Sequence, residues 1–215
     1  MYKNIIFDLD GTLVDSDAGI VNSLNYALRA FNLEEKSYEE LKQYIGPPLL
    51  DTFSESFGLG PERGTEALKK YREYYAQKGI REAELYPGVR EMVAALHAAG
   101  YGIFLGTSKV VDYAEQILEG FGIKQYFTFV GGASMDGERR GKEDVLRHVL
   151  SENPGLEKDA LMVGDTTYDV EGATAVGLKT AAVLWGYGSR WSLEKAGAEY
   201  FFDNVPALES WLLRK

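Results

Sequence analysis

The sequence contains no cysteine and only two histidines, His97 and His148. Without cysteine the chain can form no disulfide, no thiolate nucleophile and no cysteine-ligated zinc site. Two histidines are too few for a multi-histidine metal site, and they leave little room for a catalytic triad built on histidine. Any catalysis is therefore expected from carboxylates, or from a hard metal ion that oxygen atoms bind.

Long apolar runs and excess positive charge are missing as well. No segment approaches the roughly 18 consecutive apolar residues of a transmembrane helix, and the apolar run that begins at Ile5 is shorter than a signal-peptide core. We therefore expect no membrane partner and a cytoplasmic location. The net charge of -10 repels nucleic-acid backbones, so nucleic acid is not an expected partner. A phosphate ligand would need local positive charge from a metal ion or from lysines.

Short apolar runs alternate with helical patterns along most of the 215 residues. The runs predict strands at residues 5–7, 101–106, 126–130, 160–163, 180–184 and 200–202. Strands that alternate with helices are typical of a parallel sheet that helices cover on both faces. The sequence thus predicts an α/β protein with a Rossmann-like, doubly wound parallel sheet.

One stretch after the first strand breaks this alternation. Its periodicity predicts only helices, at residues 18–31, 38–44, 49–57 and 62–78, with a stiff bend at Gly46, Pro47 and Pro48. We therefore predict a core domain formed by residues 1–14 and 84–215, and a helical domain formed by residues 15–83. A lid that excludes bulk water is a common use of such an insert, and it favours small metabolites over phosphoproteins.

Polar residues follow the predicted strands at the edge of the sheet where doubly wound folds bind ligands. They are carboxylates, hydroxyls and a lysine, namely Asp8, Asp10, Thr107, Ser108, Lys109, Asp165 and Asp169. A second lysine, Lys142, opens the helix before the strand predicted at 160–163 and could reach the same edge. Several carboxylates without histidine or cysteine form a hard oxygen site, which suits Mg²⁺. Without a cation these carboxylates would repel one another. The sequence therefore predicts a magnesium site.

Asp8 and Asp10 suit the two chemical tasks of phosphoryl transfer. A carboxylate can attack phosphorus and form an aspartyl-phosphate, and Asp8 is placed for this at the end of the first strand. Asp10, two residues further on, can protonate the leaving group and then activate water. Gly11 permits the tight backbone turn that this spacing requires.

These residues resemble the four sequence motifs of the haloacid dehalogenase superfamily. Residues 8–12 read DLDGT and resemble the first motif, DxDGT. Thr107 resembles the second, Lys142 the third, and the GDTTYD segment at 164–169 the fourth, GDxxxD. The resemblance covers essentially the whole chain, and the helical insert resembles a type 1 cap. Residues 45–49 and the WGYG segment at 185–188 resemble the phosphoglycolate phosphatase-like branch.

The resemblance implies a role for each acidic residue. Asp8 would be the nucleophile and a metal ligand, and Asp10 would be the acid/base and bind the metal through its backbone carbonyl. Asp165 would bind Mg²⁺ directly. Asp169 would support the metal or its waters, although an aspartate at this position is also a common helix N-terminal residue.

The remaining candidates would bind the phosphoryl group. The resemblance implies that Thr107 and the amide of Ser108 hold phosphoryl oxygens, and that Lys142 neutralises the nucleophile and the phosphate. Gly11 and Lys109 complete the phosphate-binding set, and Lys109 could equally be a surface lysine. At two positions the chain departs from the family pattern: Ser108 stands where asparagine is frequent, and Glu143 where proline is frequent.

The resulting hypothesis is a Mg²⁺-dependent phosphatase that acts on a small phosphate monoester, phosphoglycolate-like or a nucleoside monophosphate. A sugar phosphomutase of the same fold and a non-catalytic phosphate-binding regulator stay open as alternatives. A dehalogenase is disfavoured, because it needs neither Asp10 nor magnesium. A small phosphate ester is the expected partner, and the chain is expected to be a monomer or a homodimer.

Overall fold

The computed structural model describes residues 2–214, and they separate into two compact units. One unit contains the chain up to Asp15 and again from Leu85 onward, and the other is Ser16–Glu84. Two short strands, β2 (Val14–Asp15) and β3 (Glu84–Leu85), lie where the chain passes between the units. No helix within the described residues is both long and apolar enough to cross a bilayer.

The larger unit contains a parallel sheet of six strands. They are β1 (Asn4–Phe7), β4 (Gly102–Val110), β5 (Phe129–Ala133), β6 (Ala160–Gly164), β7 (Lys179–Val183) and β8 (Tyr200–Phe202). Their order across the sheet is β5-β4-β1-β6-β7-β8, and all the pairings are parallel. This confirms the predicted α/β fold. Strand β1 lies between β4 and β6, where the winding direction reverses, and doubly wound folds bind ligands at such a switch point.

Helices cover both faces of this sheet. Those of the larger unit are α5 (Val89–Ala98), α6 (Val111–Gly120), α7 (Lys142–Glu152), α8 (Thr167–Ala175), α9 (Arg190–Ala196) and α10 (Val205–Leu212). Ile6 packs in one cluster with Val145 of α7 and Ala173 of α8. Ile5 and Phe7 point to the opposite face, because side chains alternate along a strand. They are fully buried too, so that face is covered as well.

The smaller unit contains only helices between Ser16 and Arg81. They are α1 (Asp17–Ala30), α2 (Tyr38–Leu41), α3 (Leu49–Asp51) and α4 (Gly60–Gln77), with 3-10 turns at Lys42–Tyr44 and Gly79–Arg81 and a π-helical turn at Thr52–Ser56. Ser37 and Glu40 form a reciprocal capping box at the start of α2. Stacked Tyr71 and Tyr75 pack inside the unit, because α4 places residues four positions apart on one face.

Two strand predictions need correction. Strand β4 continues through Thr107 to Val110, beyond its predicted end at residue 106, with a register irregularity between Thr107 and Val110. The strand predicted at 126–130 starts later, at Phe129, because Lys124–Tyr126 forms a 3-10 turn. Its second half contains Gly131 and Gly132, which lower strand propensity in a sequence pattern.

Candidate active site

Asp8 lies directly after β1 at the switch point of the sheet. Its backbone N–H donates to Val163 O at 2.8 Å, so the residue stays tied to β6 beyond the end of its own strand. The side chain is buried. Because β4 and β6 run parallel to β1 on either side, the residues at their carboxyl ends surround Asp8.

Lys142 joins Asp8 to the acidic residues of α8. Its Nζ lies 2.7 Å from Asp8 Oδ1 and 2.7 Å from Asp169 Oδ1, and it donates to Gly106 O at 2.9 Å. The lysine side chain is only 4% exposed. Lys142 is the first residue of α7, so the helix start aims this buried ammonium at the tip of the sheet.

The two oxygens of Asp169 serve different purposes. Oδ2 accepts hydrogen bonds from the backbone N–H groups of Asp165 and Thr166 at 3.1 and 2.9 Å, and from the Thr166 hydroxyl at 2.8 Å. This is the capping box of α8, so the helix-capping role considered from sequence is present. Oδ1 faces Lys142, so Asp169 also belongs to the charged cluster.

Asp165 follows β6, and both its carboxylate oxygens accept a hydrogen bond. Thr12 Oγ1 donates to Oδ1 at 3.0 Å, and the backbone N–H of Tyr187 donates to Oδ2 at 2.8 Å. Gly11 approaches this carboxylate closely: an added Cβ would lie 2.2 Å from Asp165 Oδ2, and its φ is +80°. A glycine is therefore required between Asp10 and Thr12, on grounds of both space and backbone conformation.

The acidic residues fit a divalent cation. Asp8, Asp165 and Asp169 each offer one carboxylate oxygen within 4.8 Å of the others, and all three are buried. Asp8 Oδ1 and Asp169 Oδ1 accept no well-aligned hydrogen bond and have the Lys142 ammonium as their ionic neighbour. One ammonium does not balance three buried carboxylates, and oxygen ligands of this kind suit a hard cation.

Burial disfavours the negative charges in this cluster. It raises the pKa of Asp8 to about 6, with Lys142 opposing the rise and Asp169 adding to it. Burial also raises the pKa of Asp165, and the charges of Asp169 and Asp8 add to that effect. For Lys142 burial acts to lower the pKa, but Asp169 and Asp8 outweigh it and raise the pKa above its usual value. The lysine thus stays charged, while the Asp8 and Asp165 carboxylates are destabilised as anions.

This electrostatic arrangement predicts an unusual pH dependence of the free energy of unfolding in the metal-free protein. A folded-state pKa of about 6 for Asp8 means that the folded protein binds a proton at pH values where the unfolded chain has released it. The free energy of unfolding should therefore fall as pH rises from about 4 to about 6, by on the order of a few kcal/mol. Urea unfolding in excess chelator across this range measures the effect.

One variant tests the source of that pH dependence of stability. Asp8→Asn should weaken it, because one titrating group is gone while Asp165, whose pKa burial also raises, still contributes. Exposed acids whose pKa is lowered, such as Glu40 and Glu73, act in the opposite direction, but exposure keeps their contribution small. Stability that rises steadily from pH 4 to 6 in the metal-free protein would contradict the assignment.

The remaining predicted residues lie at the end of β4 and in the first loop. Lys109 Nζ lies 3.1 Å from Asp10 Oδ2, and these side chains are only 6% and 14% exposed, so Lys109 is not a surface lysine. Thr107 is buried, and its Oγ1 accepts from the backbone N–H of Lys109 at 3.2 Å. Ser108 is half-buried between them.

Three residues that the motif assignment gave no role also contact this site. Thr12 and the backbone of Tyr187 hold the Asp165 carboxylate, and the indole Nε1 of Trp185 donates to Thr12 O at 3.0 Å. From sequence, Trp185 and Tyr187 are known only as part of the segment that resembles the phosphoglycolate phosphatase-like branch. Thr12 lies inside the DxDGT motif, so that motif was the signal available for it.

Comparison with known proteins identifies the family. The profile of the family described as "Haloacid dehalogenase-like hydrolase" matches residues 5–183. A 5'-nucleotidase from Pseudomonas aeruginosa is 34% identical over 211 residues, which cover 98% of this chain and 96% of that protein. The crystal structure of a predicted phosphatase from Clostridium acetobutylicum is 37% identical and superposes with a TM-score of 0.96, covering 99% of both chains.

A further relative carries a different activity in its name. Tyrosine-protein kinase PtkA from Mycobacterium tuberculosis is 41% identical over 184 residues, or 86% of this chain. The match spans only 62% of that protein's length. Phosphoglycolate phosphatases are also among the similar proteins, which confirms the branch predicted from residues 45–49 and 185–188. The chain therefore belongs to the haloacid dehalogenase-like hydrolases, and within them to the phosphatases that resemble phosphoglycolate phosphatase.

Proposed function

We propose that the protein is a Mg²⁺-dependent phosphatase that hydrolyses a small phosphate monoester through an aspartyl-phosphate on Asp8. The observation that carries this proposal is the buried Asp8 carboxylate at the tip of β1, with the Lys142 ammonium 2.7 Å away. Asp8 offers one oxygen to the acidic trio that fits a cation. A nucleophile, a fixed positive charge and a cation site thus meet at one point, as phosphoryl transfer requires.

Asp8 and Asp10 carry the bond changes in two half-reactions. In the first, the Asp8 carboxylate forms a bond to phosphorus, the bond from phosphorus to the ester oxygen breaks, and Asp10 gives that oxygen its proton. In the second, Asp10 as a carboxylate takes a proton from water, the water oxygen bonds to phosphorus, and the bond to Asp8 breaks. Inorganic phosphate leaves, and both aspartates return to their starting states.

The other residues bind and position the phosphoryl group. We propose that Thr107, Ser108, Gly11 and Lys109 contact its oxygens, and that Lys142 neutralises the charge that develops near Asp8. Asp8, Asp165, Asp169 and the backbone carbonyl of Asp10 would hold Mg²⁺. When bound, the ion neutralises negative charge on the phosphoryl oxygens. Its hardness matches a ligand set made only of oxygen atoms.

The substrate class rests on the relatives and on charge. Relatives named 5'-nucleotidase and phosphoglycolate phosphatase support a small phosphate monoester of one of these kinds. The net charge of -10 argues against nucleic-acid polymers. A role of residues 15–83 as a substrate cap, a cytoplasmic location and a monomeric or homodimeric state remain proposals.

Transfer of the phosphoryl group to an acceptor other than water is the second candidate. The name of the relative PtkA, a tyrosine-protein kinase, favours it, and a phosphomutase would belong to the same class. The stoichiometry of the reaction separates the two candidates. A phosphatase releases one inorganic phosphate for each ester consumed, whereas a transferase consumes donor without equivalent phosphate release.

Metal removal gives the first test. Purified protein with Mg²⁺ is screened against phosphorylated metabolites, including nucleoside monophosphates and phosphoglycolate, and phosphate release is measured. Excess chelator should abolish release, and added Mg²⁺ should restore it, because the buried carboxylates repel an anionic substrate when no cation is bound. Full activity in excess chelator would contradict the metal assignment, and the absence of turnover on every ester would contradict the phosphatase.

A further inference from the structure

The segment at residues 185–188, here called the WGYG loop, follows β7 and lies against the first loop and Asp165. It belongs to none of the four motifs. We propose that the WGYG loop is a positioning element that fixes the Asp165 carboxylate for a divalent cation. This inference rests on the metal site of the proposed function. It adds that residues of the WGYG loop, which are not metal ligands themselves, hold that site in place.

A closed ring of hydrogen bonds supports this role. The indole Nε1 of Trp185 donates to Thr12 O at 3.0 Å, and Thr12 Oγ1 donates to Asp165 Oδ1 at 3.0 Å. The backbone N–H of Tyr187 donates to Asp165 Oδ2 at 2.8 Å, and the chain from Tyr187 back to Trp185 closes the ring. Each carboxylate oxygen of Asp165 thus has one donor, which fixes both the rotation and the position of the carboxylate.

The spacing of the glycines lets the loop approach so closely. A Cβ added to Gly186 would lie 2.3 Å from Gly11 O and 2.4 Å from Asp165 Oδ2, and one added to Gly188 would lie 2.0 Å from Asp165 O. These distances are too short for any side chain. A larger residue at 186 must therefore displace either the first loop or the Asp165 carboxylate itself.

A second anchor holds the loop at Tyr187. Its phenol donates to Asp15 Oδ1 at 3.0 Å, while its backbone N–H holds Asp165. Two separate contacts thus restrain the loop residue whose backbone N–H holds the carboxylate of the proposed metal ligand. Hydrogen bonds that orient a ligand in this way typically change metal affinity by about 10- to 100-fold when they are removed.

Mg²⁺ binding to the free protein tests the inference without turnover. Trp185→Phe removes the indole donor, Gly186→Ala introduces the clash, and Gly120→Ala in α6 is the matched control, because its added Cβ meets nothing within 4 Å. Calorimetric titration with MgCl₂ gives Kd, and thermal unfolding in chelator gives the stability of each variant. We expect Kd to rise about 10-fold or more in the first two variants. The control should keep its Kd.

Comparing the change in Kd with the change in stability separates two roles of the WGYG loop: positioning of Asp165, and stabilisation of the fold alone. A purely structural loop would lower the thermal midpoint of the variants and leave Kd within about twofold of the unmodified protein, which would overturn the inference. If Gly186→Ala does not fold, Trp185→Phe decides the matter alone. If the unmodified protein binds no Mg²⁺, the metal part of the proposed function falls and this inference falls with it. Binding that is equal in all variants overturns only the inference.

Discussion

Replacing Asp8 by asparagine is expected to lower turnover by about four orders of magnitude or more, as loss of a covalent nucleophile does in other enzymes. Asparagine has nearly the same shape as aspartate, but its amide does not attack phosphorus. The rate of phosphate release in saturating Mg²⁺ measures the loss. Asp203→Asn is the matched control: Asp203 is 78% exposed and lies opposite Arg190 on the surface, so turnover should not change.

The same variant should fold at least as well as the unmodified protein. Burial raises the pKa of Asp8, so the charged carboxylate costs stability at neutral pH when no metal is bound. The neutral amide removes that cost, and Lys142 keeps its ion pair with Asp169. The thermal midpoint in chelator should therefore stay equal or rise.

Acid quenching provides a direct readout of the covalent step. Unmodified protein stopped during turnover of a labelled ester should carry label, and Asp8→Asn should carry none. Asp10→Asn should accumulate label with an activated ester, because the intermediate forms but water is not activated. Turnover or label in Asp8→Asn comparable to that of the unmodified protein would rule out the covalent route.

The parts of the site predicted from sequence are those that follow from parallel strand order. Asp8 and Asp165 each follow an apolar run, and the carboxyl ends of parallel strands meet at one edge of a sheet. Lys142 could be placed because it begins a helix just before a predicted strand. For the two aspartates, knowing where the strands end was enough to bring them together.

Contacts made by the backbone could not be predicted in this way, because they leave no pattern in the sequence. The bond from Tyr187 N–H to Asp165 depends on the path of the WGYG loop, and any residue except proline carries an N–H group. The extension of β4 through Thr107 and the place of Gly131 in β5 also depend on tertiary contacts. A Cβ at Gly131 would lie 2.3 Å from Val149, so close helix packing, not strand propensity, selects this residue.

The pairing of Lys109 with Asp10 likewise required the structure. Sequence left Lys109 open between a phosphate-binding residue and a surface residue, since a lysine after a strand suits either. The ion pair of 3.1 Å and the burial of both side chains remove the second reading. Whether Lys109 faces Asp10 or the solvent depends on the direction of its side chain at the irregular end of β4. A sequence pattern does not predict that direction.

Replacing Lys142 by methionine is expected to destabilise the protein and stop turnover together. Methionine matches the length of the lysine stem but leaves Asp8 and Asp169 without their buried cation. Removing one partner of a buried ion pair costs about 3–5 kcal/mol. Urea unfolding in chelator at neutral pH measures this loss, and phosphate release measures the loss of turnover.

A partly exposed lysine provides the matched control for this variant. Lys124 pairs with Glu119 and Glu115 at 2.6 and 3.4 Å, and these three side chains are 33 to 58% exposed, so water screens the pairs. Lys124→Met should therefore cost less than about 1 kcal/mol. Equal costs for the two lysines would show that Lys142 is not electrostatically coupled to the acidic cluster.

The double variant Lys142→Met with Asp8→Asn separates charge from packing. If the cost of losing Lys142 comes from stranded carboxylates, neutralising Asp8 should recover part of it, and the two single changes should not add. Residues in direct contact show coupling energies of about 0.5–3 kcal/mol in such cycles. Since the Asp169 carboxyl group is retained, recovery should be partial, and lowering the pH should recover more as Asp165, whose pKa burial raises, binds a proton. Strict additivity of the two changes would mean that the stability lost with Lys142 comes from packing. It would contradict an electrostatic interaction between Lys142 and the Asp8 nucleophile.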